Sequence, residues 1–380
     1  MIMLDPDKEI SAVEGKITRI SDAWRQFFLE YKSCKKEINY DSEVRTNYVA
    51  DVFIYLRDTL PFLKETGKDS DSMRNVFNAF GVLQTIYVHQ DLIDELLFIF
   101  KLQKSSNLNK SINRNLRNEL VGHPVRRTRD ENLISSVFLG RGFSSNAVNY
   151  VRYDYPEGFK SKVIDHSWED ILSRHFGFLN LYLDQIWDKI LIIIKSFHKN
   201  LVGFLPLIGE IAFSKVVDLA EHRFEILFTH NEAYDKNFLI SCHNRASEHP
   251  RFKFIVDLFL SELTECVSET IITAEKFINP QVVKVVMTET PFFTVEIVEA
   301  GQLTEAEIKE IQKSGALSYN LSKLYEDHPI FGIDFFMETY GADPVICAEL
   351  QMMRENPETP LFACCYEFLK NYMEERQSQE

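Results

Sequence analysis

Apolar residues separated by three and four positions, over long stretches with few breaks, restrict the fold of this chain more than any other feature. This spacing places a stripe of side chains on one face of an α-helix. Only 14 Gly and 12 Pro occur among the 380 residues, so turns are sparsely marked. The pattern predicts a mainly α protein with long helices. The first stripe contains Ile10, Val13, Ile17, Ile20, Trp24, Phe27 and Tyr31.

Two segments depart from the helical pattern. Residues 134–154 combine β-branched and aromatic residues around a Gly/Ser/Asn centre, which predicts a β-hairpin, and residues 281–299 predict two short strands. We expect a helical bundle with a small β-hairpin insertion in residues 1–199, and a second, mostly helical region with two short strands in residues 200–380. The predicted helices cover 8–38, 44–60, 72–103, 111–121, 167–198, parts of 200–278 and short proline-bounded segments in 303–377.

The charge of the chain is unevenly distributed. The net charge is −15, and residues 281–380 hold 7 Lys or Arg against 18 Asp or Glu. Residues 101–130 hold 8 Lys or Arg against 2 acidic residues. A basic segment in an acidic protein indicates a local anion site. The acidic C-terminal hundred residues are either a solvated surface, a mimic of nucleic acid that shields the basic segment, or a docking site for an activator.

Cysteine usage and the terminal sequence predict a cytoplasmic protein. The six Cys include no C-x-x-C pair, which is typical of free thiols in a reducing compartment. Cys364 and Cys365 are adjacent, and are either a redox pair or buried helix residues. The N-terminus lacks the apolar segment of a signal peptide. The most apolar stretch, Leu201–Val217, contains Glu210 and Lys215 and is short for a membrane span.

The segment NRNLRNELVGHP, residues 113–124, is the sharpest candidate site. Arg114 and Arg117 are three positions apart, on one helical face. At about 100° per residue, Arg117 and His123 are about 120° out of line on a continuous helix. Gly122 permits a left-handed turn, and we expect such a turn to bring His123 back towards Arg117.

These residue types suit the cleavage of RNA without a metal ion or other cofactor. His123 is the candidate base for the ribose 2′-OH, because an ordinary imidazole pKa of about 6.5 suits proton transfer near neutrality. Arg117 stays charged and can form a fork of hydrogen bonds with phosphate oxygens. Asn118 can orient either group. The candidate contacts to the neighbouring RNA backbone are Arg114, Lys101, Lys104, Arg126, Arg127 and Arg129.

At these residues the chain resembles the HEPN family. Arg117-Asn118, four further residues and His123 fit the R-x(4–6)-H motif in its form with Asn after Arg, and RNELVGHP is similar to uncharacterised bacterial HEPN proteins. A second matching element is FGVLQTIYVHQD, residues 80–91, which is similar to a Gly-x-x-Gln…Gln-Asp helix that precedes the motif in that subgroup. The resemblance covers about residues 45–199.

The resemblance implies an antiparallel helical bundle with two long helices, and a homodimer whose motifs face each other. It implies a metal-independent ribonuclease of toxin–antitoxin or anti-phage defence systems, with an antitoxin or activator as a further partner. Arg117 and His123 would be catalytic, supported by Asn118. Asp91, or alternatively Gln90, would be the polar partner from the preceding helix. Some HEPN domains only bind nucleotides, RNA or proteins, so a non-catalytic binding or dimerisation module is the alternative.

Simpler explanations exist for the same residues. Arg117 and His123 are also suited to the C-terminal end of a helix, where cations interact favourably with the helix dipole. Asp91 also suits a solvated or salt-bridged helix face. Paired histidines occur at 222 and 230 and at 243 and 249, but no Cys or carboxylate stands at a recurrent metal-ligand spacing. We therefore predict no metal site.

Overall fold

The protein is mainly α-helical, with one small antiparallel sheet of four strands. It divides into two compact units, Met1–Phe197 and His198–Glu380, and the boundary falls within one long helix. The computed structural model describes residues 4–40, 48–66, 71–139, 146–155, 160–224, 228, 234–279, 319, 321–324, 329–357 and 359–377.

Unit one contains five helices, the sheet and most of a sixth helix among its described residues. A π-helical segment, Trp24–Phe28, extends α1, and a 3-10 segment, Leu60–Lys64, extends α3. A second π-helical segment, Asn118–Gly122, follows α5. The elements are α1 Pro6–Ala23, α2 Lys32–Lys35, α3 Tyr48–Thr59, α4 Ser72–Ile99, α5 Leu108–Arg117, β1 Val125–Arg127, β2 Leu133–Phe138, β3 Ala147–Asp154, β4 Lys160–Ser167 and α6 Trp168–Phe204.

Polar side chains fix the starts of three helices in unit one. The carboxylate of Asp5 accepts hydrogen bonds from the first turn of α1, where Pro6 occupies a position that needs no N–H donor. Asp71 caps α4 and Asn107 caps α5 in the same way. At the other end of α4, Lys101 has a positive φ of 54° and ends the helical path.

Helix α4 lies at the centre of the bundle. The apolar residues on its inner face, including Leu83, Ile86 and Ile93, are fully buried. It contacts α3 and α5, and its His89 ring meets His175 of α6. The aromatic cluster of Trp24, Phe28 and Phe100 closes one end of the core. Burial of these large side chains is the main source of stability for such a bundle.

The sheet is a meander in the order β1-β2-β3-β4, with each strand antiparallel to its neighbour. It is larger than the single hairpin that the sequence predicts, because β1 and β4 pair at its two sides. Alternate residues face the helices: Ser136, Tyr150 and Val148 are buried. The intervening Val137 and Val163 are exposed, as the period-two geometry of a strand requires. The helix-facing side therefore sits against the segment that carries the candidate site.

Unit two contains the end of α6 and six further helices among its described residues. A buried cluster around Leu350, Phe336 and Leu369 forms the core of its C-terminal part. The buried carboxylate of Glu349 accepts two hydrogen bonds from Arg251 Nε, at 2.9 and 3.0 Å. The helices are α7 Phe213–Arg223, α8 Lys236–Asn244, α9 Pro250–Ile278, α10 Pro329–Tyr340, α11 Pro344–Glu355 and α12 Pro360–Gln377.

The helices expected within the described residues are present, with revised boundaries, and residues 303–318 lie outside the described residues. The prolines at 329, 344 and 360 stand at the first residue of a helix and start it, since proline fits that position. The two strands predicted in 281–299 lie outside the described residues. One described helical stretch, Trp168–Leu207, is long and apolar enough to cross a membrane. A single such stretch is weak evidence, because core helices of soluble proteins share this composition. A cytoplasmic location remains a prediction.

Candidate functional site

A row of polar residues runs along one face of α4 opposite the basic residues of α5. Gln84, Tyr87, Asp91 and Asp94 are separated by three, four and three positions, so they lie on one helical face. On α5, Lys110, Arg114 and Arg117 follow the same rule. The contacts run in opposite directions along the two helices, from Asp94 with Lys110 to Gln84 with Arg117. The two helices are therefore antiparallel across this row.

The first end of the row is buried. The ammonium group of Lys110 pairs with Asp94, and both side chains are about one-tenth exposed. Ser105 donates to the same carboxylate through its backbone N–H, at 3.2 Å, and through its hydroxyl. Burial raises the pKa of Asp94, but the hydrogen bonds from Lys110 and Ser105 outweigh this effect and hold that pKa below its ordinary value. This end of the row is an internal ion pair.

The middle of the row is half-exposed. Arg114 Nη1 donates to Asp91 Oδ1 at 2.7 Å, and the Arg114 guanidinium carbon lies 4.1 Å from the centre of the Tyr87 ring. The guanidinium carbon of Arg117 is also 4.1 Å from that ring centre. No described contact joins Asp91 to Arg117 or His123. The sequence offered Asp91 as the polar partner of the motif, whereas the structure pairs it with Arg114.

Gln84 is the residue that holds Arg117. Its Oε1 accepts hydrogen bonds from Arg117 Nε at 3.0 Å and from Arg117 Nη2 at 2.8 Å. Arg117 Nη1 donates to Asn118 Oδ1 at 3.1 Å. With Tyr87 against its flat face, the guanidinium is fixed on three sides. The sequence contained the signal for Gln84, since it is the Gln of the Gly-x-x-Gln element, and Tyr87 was a residue that sequence reasoning missed.

The π-helical segment Asn118–Gly122 sets the path of the chain after Arg117. The backbone N–H of His123 donates to the carbonyl of Asn118 at 2.7 Å, which is an i→i−5 bond. Gly122 does not have a positive φ; Gly209 is the described glycine that does. The expected left-handed turn at Gly122 is therefore wrong, because the wider helical turn already redirects the chain.

Gly122 has a different role, which is to admit the side chain of Arg117. A Cβ atom at position 122 would stand 2.9 Å from Arg117 Nη1 and 3.8 Å from Asn118 Oδ1. Such a distance to Nη1 is shorter than real Cβ atoms allow. The guanidinium of Arg117 thus lies against the residue that immediately precedes His123.

Contacts to the sheet hold this segment in place. Glu119 accepts a hydrogen bond from Ser136 Oγ at 2.8 Å and pairs with Arg152 at 3.4 Å. Leu120 is buried beside them. The side chain of His123 is exposed, and no described residue forms a hydrogen bond or ion pair with its ring. The imidazole is therefore open to a ligand.

The flanking basic residues fall into two groups. Arg126 Nη1 donates to the carbonyl of His123 at 3.2 Å, and Arg127 pairs with Glu131 at 3.5 Å. Arg129 is exposed, and no described residue pairs with it. These three arginines all lie within six positions after His123.

Lys101 and Lys104 lie at the other end of α4. Gln84 and Ile99 are about 22 Å apart along the helix axis, at about 1.5 Å per residue, so the two lysines are far from Arg117. Lys101 Nζ donates to the carbonyl of Lys36 at 3.0 Å, and Lys104 pairs with Asp94 at 3.7 Å.

Gln90, the other candidate polar partner, is fully buried and donates to the carbonyl of Lys110 at 3.3 Å. It supports the packing of α5 rather than the Arg117 side chain. Asp91 also lines a cavity of about 520 Å³ with Asp94, Glu95 and Phe98. Lys104 also lines this cavity, but three carboxylates outnumber its one ammonium group and disfavour a phosphate there. The cavity therefore does not extend the basic site.

No group of three or more metal-ligating side chains occurs in the described part of the chain. The ring of His243 stacks on Phe213 with centroids 4.7 Å apart, and His249 Nδ1 accepts a hydrogen bond from the Arg251 backbone at 3.2 Å. His230 lies outside the described residues. Comparison with protein-family models, curated proteins and solved structures finds no match to this chain.

Proposed function

We propose that the chain is a metal-independent RNA endonuclease of the HEPN type, with Arg117 and His123 as its catalytic residues. The observation that carries this proposal is the position of the Arg117 guanidinium, which is held by Gln84 and Asn118 and lies against Gly122, the residue before the exposed His123. A role in toxin–antitoxin or anti-phage systems follows from the resemblance to HEPN proteins alone.

Arg117 retains the capacity to bind a phosphate. A guanidinium has five N–H donors, and Arg117 gives three of them to Gln84 and Asn118. The two others have no acceptor among the described residues. A guanidinium that is already fixed loses little freedom when it binds a phosphate, and it stabilises the charge that develops in the transition state.

His123 is suited to the proton transfer. Its ring is exposed and has no partner among the described residues, so both ring nitrogens are available to the ribose 2′-OH or to solvent. In the proposed reaction, His123 removes the 2′-OH proton. The oxygen then attacks the adjacent phosphorus, and the 5′-oxygen leaves. The products are a 2′,3′-cyclic phosphate and a 5′-hydroxyl end.

The test is cleavage of RNA by the purified full chain at neutral pH, with and without EDTA. We expect cleavage in EDTA and 2′,3′-cyclic phosphate ends. Arg117→Ala and His123→Ala should each reduce the rate by at least 100-fold, because each removes one catalytic group. Arg117→Lys should lose most of the rate, since an ammonium group cannot reproduce the fork of hydrogen bonds.

Matched controls are Arg57→Ala and His198→Ala, which change the same residue types away from the site. Circular dichroism spectra and melting temperatures of all variants exclude unfolding as the cause. If Arg117→Ala and His123→Ala cut RNA at the parental rate, the nuclease assignment is wrong.

We further propose that the active form is a homodimer. Met73, Phe77 and Phe80 are exposed on α4, and Phe77 is 76% exposed. They continue the face that carries Gln84, at spacings of four, three and four positions. A second copy on this exposed apolar face brings two Arg117 sites together.

Sedimentation of the purified chain tests the dimer. Phe77→Asp should shift sedimentation from dimer to monomer, whereas the matched exposed change Ile272→Asp should not. A monomeric parent chain would refute the dimer.

The alternative is a module that binds RNA or a nucleotide, or only dimerises, without turnover. The observation in its favour is the salt bridge of Arg114 with Asp91, which gives these cations a role in helix packing. This alternative predicts saturable, salt-sensitive binding of RNA without product. Prolonged incubation with end-labelled RNA, resolved on a sequencing gel, separates the two functions.

A further inference from the structure

Two of the six cysteines meet in the interior of unit two. Sγ of Cys242 on α8 lies 3.7 Å from Sγ of Cys364 on α12, and both side chains are fully buried. The neighbouring Cys365 is also buried, but it belongs to the core cluster around Leu350. Adjacent residues of a helix point about 100° apart, so Cys364 faces Cys242 while Cys365 faces elsewhere.

We propose that Cys242 and Cys364 are an oxidation site at which hydrogen peroxide forms a disulfide between α8 and α12. A disulfide requires a sulfur–sulfur distance of about 2.05 Å, so the two atoms need to approach by about 1.7 Å. Rotation about the side-chain torsions of two facing cysteines provides movement of this size. The two residues are 122 positions apart in the chain.

The electrostatic surroundings distinguish the two thiols. A hydrogen bond from Cys364, aided by the charge of Arg245, lowers the pKa of Cys242 although burial opposes this. The pKa of Cys364 is raised by its bond to Cys242 and by burial. Burial also raises the pKa of Cys365 to about 12. The thiolate is the reactive form, so Cys242 is the attacking sulfur and Cys364 the resolving one.

The chemistry balances as follows. The Cys242 thiolate attacks one oxygen of the peroxide, the O–O bond breaks, and hydroxide leaves, which gives a sulfenic acid. Cys364 loses its proton and attacks the Cys242 sulfur, and the sulfenic hydroxyl leaves as water. In sum, two thiols and one peroxide give one disulfide and two waters. Each sulfur loses one electron. Peroxide is small enough to enter through local opening of the helices.

The disulfide would fasten the C-terminal helix to the rest of unit two. Helix α9 packs against both α8 and α12, and the new bond would close this three-helix arrangement covalently. Closing a loop of more than 100 residues is a large constraint on the unfolded chain. The melting temperature of unit two should rise by roughly 10 °C on oxidation, and reduction with dithiothreitol should reverse the rise.

The experiment treats the folded full chain with a few equivalents of hydrogen peroxide. The remaining thiols are then blocked with N-ethylmaleimide in denaturant, and the chain is digested without reduction. We expect one cross-linked peptide pair that joins Cys242 to Cys364, with two hydrogen atoms lost. Free thiols should fall from six to four. Cys365→Ser and Cys34→Ser should retain the cross-link and the rise in melting temperature, whereas Cys242→Ser and Cys364→Ser should lose both.

The parent chain alone can overturn the proposal, whatever the stability of the variants. A cross-link between Cys364 and Cys365, sulfinic acid at Cys242 without a cross-link, or six unchanged thiols would each refute it. A cross-link in Cys364→Ser that joins Cys242 to Cys365 would show that the pair is assigned wrongly.

Discussion

Gln84 Oε1 accepts two hydrogen bonds from Arg117, from Nε at 3.0 Å and from Nη2 at 2.8 Å. One amide oxygen on α4 thereby fixes the direction of the one guanidinium that the motif depends on. The contact uses the side edge of the guanidinium and leaves its two unused N–H donors for a ligand. Gln84 therefore acts as a positioning residue for Arg117.

Gln84→Leu tests this role, because leucine has a similar size and accepts no hydrogen bond. In this variant two N–H donors of the Arg117 guanidinium lose their acceptor, which lowers the free energy of unfolding by roughly 1.5–3 kcal/mol. We expect the melting temperature to fall by several degrees and RNA binding or cleavage to fall at least tenfold. Gln185→Leu, at an exposed position of α6, is the matched control. Parental melting and parental RNA affinity in Gln84→Leu would contradict the positioning role.

Gly122→Ala and Gly81→Ala form a second matched pair. A Cβ at 122 meets Arg117 Nη1 at 2.9 Å, whereas a Cβ at 81 meets nothing within 4 Å. Gly122→Ala should therefore displace the guanidinium and reduce RNA binding or cleavage at least tenfold. Gly81→Ala should stabilise α4 by about 0.5–1 kcal/mol, because glycine within a helix is unfavourable. RNA assays and thermal melts of both variants test these two expectations. Equal effects of the two alanine substitutions on RNA binding or cleavage would contradict the close approach of Gly122 to the Arg117 guanidinium.

The faces of the helices were predictable from the sequence, but the pairing between them was not. Spacings of three and four positions place Gln84 and Asp91 on one face of α4 and Arg114 and Arg117 on one face of α5. Which residue meets which depends on how far the two helices slide along each other. A shift of about two turns would replace Gln84 with Asp91 as the partner of Arg117. Packing against α6 and the sheet sets that shift, and no local pattern encodes it.

The turn after Arg117 shows a second limit of sequence reasoning. Glycine next to a proline indicated a left-handed helix end, which is the common arrangement. The structure instead contains a π-helical segment, because Glu119 is held by Ser136 and Arg152 of the sheet. These contacts come from residues far along the chain. Long-range contacts of this kind decide rare local conformations, so the sequence alone favours the commoner turn.

Asp94→Asn and Asp91→Asn should differ in stability although both change one carboxylate on the same face of α4. Asp94 and Lys110 are both nearly buried, and loss of one partner leaves a buried charge, which costs roughly 3 kcal/mol. Asp91 is half-exposed, and its pair with Arg114 contributes at most about 1 kcal/mol. Urea unfolding of the two variants measures the difference. Equal losses of unfolding free energy in the two variants would show that water reaches Asp94 and Lys110 at the buried end of the row.

The buried pair of histidines predicts a loss of stability in mild acid. His89 Nδ1 and His175 Nε2 lie 3.1 Å apart, and His89 Nε2 lies 2.7 Å from Thr59 Oγ1. Both rings are fully buried. Burial lowers the pKa of His89 to about 3. Burial, together with the nearby His89, also holds the pKa of His175 well below its ordinary value. In the folded chain both rings therefore remain neutral, and one donates a hydrogen bond to the other.

The sign follows from proton binding. In the unfolded chain both histidines take up protons near pH 6.5, whereas in the folded chain burial lowers both pKa values and keeps the two rings neutral at that pH. The unfolded state binds more protons than the folded state in this window. The two histidines therefore contribute their full stabilisation above pH 6.5, and the free energy of unfolding falls as the pH drops below that value. For two such groups the loss between pH 8 and pH 5 is roughly 4 kcal/mol.

Variants separate this effect from that of the carboxylates, which titrate in the same window. We expect His89→Asn to reduce the loss between pH 8 and pH 5 by about half, to roughly 2 kcal/mol, since one buried histidine remains. His123→Asn, at an exposed ring, should leave the loss unchanged. Urea unfolding at pH 8, 6.5, 5.5 and 5 gives the comparison. The prediction is contradicted if the unfolding free energy of His89→Asn depends on pH in the same way as that of the parent chain. The histidine pair would then be protonated without loss of the fold, and its neutral hydrogen bond would not stabilise the contact of α4 with α6.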